Sequence, residues 1–143
     1  MKIRRSITRN EDGVAAVEMA FALPILIVMI WMFVQLAQIY RAMAGIQQAL
    51  GEGARFATLC LTPGPTGCIT PTSDQVKNRI SQTVYGIGPG NFVVADPQAG
   101  NSAVDGSSYY DLTVTYSQPT TLLLFPGPTI NVSRSKRVWI AGG

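Results

Sequence analysis

The run from Met19 to Tyr40, 22 residues without a charged side chain, constrains this chain more than any other feature. As an α-helix it extends about 33 Å at 1.5 Å per residue, and a bilayer's hydrocarbon core is about 30 Å thick. A soluble protein would have to wrap such a helix on all sides. Residues 61–143 are too few to do so and suffice for one small domain. Trp31 and Tyr40 are amphipathic aromatics, and Tyr40 beside Arg41 suits a membrane interface. Lys2, Arg4, Arg5 and Arg9 precede the run, whereas only Arg41 and Arg55 follow it closely. The positive-inside bias therefore predicts residues 1–12 in the cytoplasm and an exported C-terminus. The composition agrees, with 47% hydrophobic against 13% charged residues.

Two residues are unexpected in a plain anchor. Glu18 lies at the start of the apolar segment, where an ionisable group costs about 2.5 kcal/mol or more at the bilayer centre and less near the edge. It either snorkels to the cytoplasmic edge or has a partner. Pro24 lacks an N–H, leaves the Ala20 carbonyl without its helical donor, and allows a bend. Gly13 suggests what Glu18 can pair with. A cut between Gly13 and Val14 would remove the leader MKIRRSITRNEDG and create an α-amine at Val14, with an ordinary pKa of about 8. Glu18 would then stand at the i,i+4 spacing, or reach the amine of an adjacent copy, and each costly charge would have a counter-ion.

At these residues the chain resembles the type IV pilin superfamily. More narrowly, DGVAAVEMAFALPILIVMIWMFVQLAQIYRAM followed by QQALGEGAR, about residues 12–57, is similar to the TadE-like proteins of the tight-adherence (Flp) pilus assembly system. The shared pattern is Gly13, small residues, Val17-Glu18, Ala20 and Leu23-Pro24, then a helix ending in Gly53-Ala54-Arg55. The resemblance implies a pseudopilin of the bacterial inner membrane with an exported C-terminal domain. It implies a processing site at Gly13 and Val14 cut by a prepilin peptidase, and for Glu18 the role of the family's glutamate. Its implied partners are other pilins or pseudopilins, pilus assembly proteins and the lipid bilayer. Met19 stands where the major Flp pilin has tyrosine, and the far domain is much larger than a major pilin's tail. Both departures point to a minor component.

Beyond the apolar run, Met43, Ile46, Leu50, Ala54, Ala57 and Leu61 continue at helical spacing. One helix over 14–60 is predicted, with its membrane part at about 19–40. Gly45, Gly51 and Gly53 weaken it by about 1 kcal/mol each relative to alanine, and mark either close packing or a hinge. The prolines and glycines of LTPGPTG end it. Cys60 and Cys68 flank that break, and on the oxidising side of the envelope a disulfide staple is favoured. With no histidine in the chain a usual zinc site is not available, and no metal or cofactor is expected.

The remainder reads as a small α+β unit, so the fold class is α+β: a long transmembrane helix extending into an exported domain of one helix and an antiparallel sheet. Thr72 caps a helix with Gln75, Val76, Ile80 and Val84 form its buried stripe, and Gly86 ends it. Strands are expected at 91–95, at 109–116 with Tyr110, Leu112, Val114 and Tyr116 on one face, and at 129–140. The last has Arg134 and Lys136 on the parity of Ile130 and Val132, so a bulge or an edge position is expected. Residues 95–108 read as a loop. QPTTLLLFPGP reads as a hydrophobic loop whose Leu122–Phe125 segment packs in the core in preference to forming a partner-binding patch.

No GxSxG, P-loop, phosphate fingerprint or histidine supports catalysis, so the chain is not expected to be an enzyme. Asp96, Asp105 and Asp111 form no ordered calcium loop. The net charge of +3 is scattered without interleaved aromatics, which excludes a nucleic-acid platform. Three readings remain: a minor pseudopilin cleaved after Gly13, an uncleaved single-pass envelope scaffold, and a secreted protein cut after Ala42-Met43-Ala44. The mature N-terminus separates them.

Overall fold

The computed structural model describes residues 11–64, 67–104, 106–123 and 125–140. The basic leader residues Lys2, Arg4, Arg5 and Arg9 lie outside them, as do Asp105 and Leu124. A single helix, α1, runs unbroken over Glu11–Ala57, through Pro24 and all three of the doubtful glycines. Its 47 residues span about 70 Å. It is one helix with two environments. From Val14 to Leu36 every large apolar side chain is at least 38% exposed, whereas Ala42, Ile46, Ala49 and Ala57 are fully buried.

The buried half is a core element of the domain. Helix α2, Ser73–Val84, packs on it, and Ile80 lies over Gly53 so closely that an added Cβ would come within 2.4 Å of its Cγ1. At Gly45 the same construction meets Ile87 at 2.7 Å, while at Gly51 it meets nothing within 4 Å. Gly45 and Gly53 therefore serve close packing, and no hinge interrupts α1. The capping box of α2 forms as its residues require: Gln75 N–H donates to the Thr72 hydroxyl and the Gln75 side chain accepts from Thr72 N–H. Gly86, at φ +78°, takes the left-handed conformation that turns the chain out of the helix.

Among the described residues, six strands complete the fold. A small hairpin, β1 (Thr62–Gly64) and β2 (Gly67–Ile69), follows α1. The main sheet is antiparallel and centred on β5 (Ser108–Leu122), with β6 (Phe125–Trp139) on one edge. On the other edge β3 (Asn91–Val94) and β4 (Gln98–Asn101) lie end to end. The register slips by one residue between Val94↔Val114 and Gln98↔Asp111, so β3 and β4 are two halves of one bulged strand. The segment expected to be a loop thus contains β4, because pairing to β5 offsets the weak strand propensity of Gln98-Ala99-Gly100-Asn101. Leu112, Val114 and Tyr116 of β5 are fully buried against the helices, and Tyr110 packs at the core's margin.

The structure corrects the expectation for QPTTLLLFPGP. β5 and β6 continue through it as a hairpin, with a one-residue register shift between Pro119 and Thr121 and a tight turn after Leu122. Leu122, Leu123 and Phe125 are 46%, 47% and 69% exposed, so they are not core residues. Leu123 adopts φ 54°, a left-handed conformation that costs a non-glycine residue about 1–2 kcal/mol. The exposure has a simple origin: the hairpin is long enough to run past the domain and down the flank of α1. β6 pairs only with β5 among the described residues, which is the edge position that Arg134 and Lys136 suggest, and the bulge sits at the hairpin's tip instead.

Candidate functional site

The residues singled out by the sequence lie at opposite ends of α1. Gly13, Val14 and Glu18 stand at its N-terminal end, all exposed. Val14 and Glu18 are four residues apart on a continuous helix and so share a face. Because α1 begins at Glu11, the Gly13–Val14 bond lies in its first turn. A Cβ added at Gly13 meets nothing within 4 Å, so close packing does not require glycine there. Cys60 and Cys68 are joined in a disulfide across the β1–β2 hairpin, with Cα atoms 5.3 Å apart. About 60 Å of helix separates Glu18 from that end of α1, so the two features form no common site.

Between them lies a contact that sequence reasoning missed. The hairpin tip is fastened to the exposed half of α1 by side-chain amides. Gln35 accepts from the Thr121 N–H at 3.2 Å, and its own amide donates to the Thr121 carbonyl. The Trp31 indole N–H donates to the same carbonyl at 2.9 Å. Higher up, Gln118, only 3% exposed, donates to Gln38 at 3.2 Å and accepts from the Tyr116 hydroxyl at 2.6 Å. That hydroxyl accepts in turn from Gly90 N–H at 3.1 Å. Each amide of the relay has a partner, as burial requires. The available signal was the pair Gln35 and Gln38, amides at an i,i+3 spacing inside an otherwise apolar run, which in lipid need partners.

The face of the sheet turned away from the helices carries charge. Arg137 forms a two-pronged ion pair with Asp111, both contacts at 2.8 Å, and lies 4.0 Å over the Tyr109 ring, which meets Trp139 edge-on. The Arg137 hydrogen bonds hold the Asp111 carboxyl below the ordinary carboxylate range. Asp96 pairs with Lys77. Among the described residues no cluster of three or more histidine, cysteine or acidic side chains is placed to hold a metal.

Residues 13–55 match the TadE-like protein family. The match begins at Gly13, covers the exposed half of α1 and the glycine-bearing buried half, and stops before the disulfide. It accounts for 43 of the 143 residues, and what it implies is involvement in the Tad pilus system. One long apolar N-terminal helix fits a single-pass membrane protein of such a system. No curated protein and no solved structure matches the chain.

Proposed function

We propose, from the TadE-like character of residues 13–55, that this chain is a minor pseudopilin of a tight-adherence type IV pilus, a structural component and not a catalyst. A prepilin peptidase cuts between Gly13 and Val14, and the freed helix docks beside other pilins or assembly proteins through its exposed half. The observation that carries the reading is the uncovered helix itself. From Val14 to Leu36 every large apolar side chain stays at least 38% exposed, even beside the hairpin tip, with one carboxylate, Glu18, four residues from the proposed new amine. In a bilayer that carboxylate and that amine supply each other's counter-charge.

A second reading is an uncleaved single-pass scaffold that binds other pilus or secretion components. It is favoured by the helical state of the Gly13–Val14 bond, which a peptidase would have to unwind. Two substitutions separate the readings. Gly13→Leu is expected to leave the fold intact, because a Cβ added there meets nothing within 4 Å, yet to block processing and retain full-length protein. Glu18→Ala is trimmed normally but poorly incorporated, with pilus-dependent adhesion reduced. Sequencing the mature N-terminus decides: Val14 supports the pseudopilin. Residues 1–13 still attached in cells that make working pili would move the assignment to the scaffold.

A further inference from the structure

The charge-free run ends at Tyr40, but the domain covers α1 before that point. Ile39 is only 8% exposed and Ala42 is fully buried, while Gln35 and Gln38 are already engaged by the hairpin. From 13 to 34 every large apolar side chain is at least 38% exposed, and the hairpin tip is hydrogen-bonded there at Trp31; this segment, about 33 Å long, fits the hydrocarbon core as well as 19–40 does. Because Trp31 and Gln35 hold the Thr121 backbone, whatever medium surrounds Trp31 also surrounds the hairpin tip.

The tip is built for a particular medium. Leu122, Leu123 and Phe125 are exposed, and Leu123 occupies a left-handed turn position that glycine or asparagine adopts at lower cost. Prolines at 119, 126 and 128 reduce the number of free N–H donors there. The remaining backbone of β6 faces no further strand among the described residues, and open strand edges do not persist in hydrocarbon. Apolar side chains on a partly unpaired backbone belong at the boundary between acyl chains and headgroups.

We infer that the β5–β6 tip is a membrane-interface foot: Leu122, Leu123 and Phe125 enter the acyl region of the leaflet on the domain's side, and Trp31 marks its edge. The occupant is lipid. An open apolar groove, bounded by Met29, Phe33 and Leu36 on α1 and by Leu122, Pro128 and Ile130 on the hairpin, adjoins through Met29 the exposed apolar surface lower on the helix. A tryptophan at the interface follows the usual aromatic preference. The foot fixes how deep α1 sits and thereby draws Glu18 about 8 Å inside the opposite edge of 13–34, where it needs a partner.

The inference rests on α1 crossing a bilayer, and depth-resolved quenching tests the two separately. Full-length protein with Trp139→Phe retains Trp31 as its one tryptophan and is reconstituted in phosphatidylcholine vesicles brominated either near the glycerol backbone or near the chain end. A second variant, Phe125→Trp with Trp31→Phe and Trp139→Phe, reports on the tip, which Gln35 still fastens. Both reporters are expected to lose more fluorescence to the shallow bromines than to the deep ones. Deep quenching of Trp31 places it near the bilayer centre, as a 19–40 span requires, and overturns the foot while keeping the membrane helix. A signal from the Phe125→Trp reporter untouched by either bromolipid, with Trp31 quenched, also overturns it and assigns the tip to solvent or a protein partner. If neither reporter is quenched, the membrane crossing itself is refuted.

Discussion

Gly51 and Gly53 sit two residues apart on α1, and the structure gives their alanine variants opposite signs. At Gly51 an added methyl meets nothing within 4 Å, so Gly51→Ala collects the helix-propensity gain of up to about 1 kcal/mol. At Gly53 the methyl would stand 2.4 Å from Ile80 Cγ1 and 2.7 Å from its Cδ1. Ile80 is fully buried, so it has little room to yield. Overpacking of this kind costs about 1–3 kcal/mol. With the closest contact at a branch-proximal atom we take the upper part of that range, less the same propensity gain. The net expectation is a loss of about 1–2 kcal/mol for Gly53→Ala, or roughly 4–16 °C in melting temperature for a domain of this size. The assay is thermal and urea unfolding of the detergent-solubilised full chain, followed by circular dichroism. Gly53→Ala combined with Ile80→Ala supplies the control. Ile80→Ala alone opens a cavity costing about 2–5 kcal/mol, and the methyl added by Gly53→Ala partly fills it, so the two changes together should cost less than their sum. Equal stabilisation by Gly51→Ala and Gly53→Ala would refute the close approach of α2 to α1.

The Asp111–Arg137 pair carries a pH signature of definite sign. The folded-state pKa of Asp111 is depressed below 3.8 by the Arg137 hydrogen bonds, so its contribution is present above that value and lost as pH falls through the lower, folded one. Asp111→Asn should therefore lower stability at neutral pH and converge with the unaltered chain in acid, the difference shrinking in high salt; a gap that widens in acid would contradict the pairing. Reducing the Cys60–Cys68 bridge should cost at most about 2–3 kcal/mol, the loop-closure value for so short a loop. Non-reducing peptide mapping and unfolding with and without reductant check this, and two free thiols in exported protein would remove the staple.

Much of this protein is decided locally. The apolar run, the capping box of Thr72 and Gln75, the stop at LTPGPTG and the alternation of Tyr110, Leu112, Val114 and Tyr116 each depend on residues within a turn or two, so periodicity and capping chemistry reveal them. The residues that carry the TadE-like resemblance are likewise contiguous, from Gly13 to Arg55. Where Gly45 and Gly53 lead was not legible, since packing and hinging ask for the same small residue, and only the positions of Ile87 and Ile80 distinguish them. The strand at Gln98–Asn101 was hidden for a different reason: its propensity is poor, and β5 supplies the pairing. The hairpin tip depended most on the tertiary structure. Leu122, Leu123 and Phe125 are as apolar as core residues, and no local rule tells a core loop from a foot. Their fate is set by the hydrogen bonds from Trp31 and Gln35 to Thr121, residues 86 to 90 positions away, and a contact across that separation exists only once the sheet has closed against the helix.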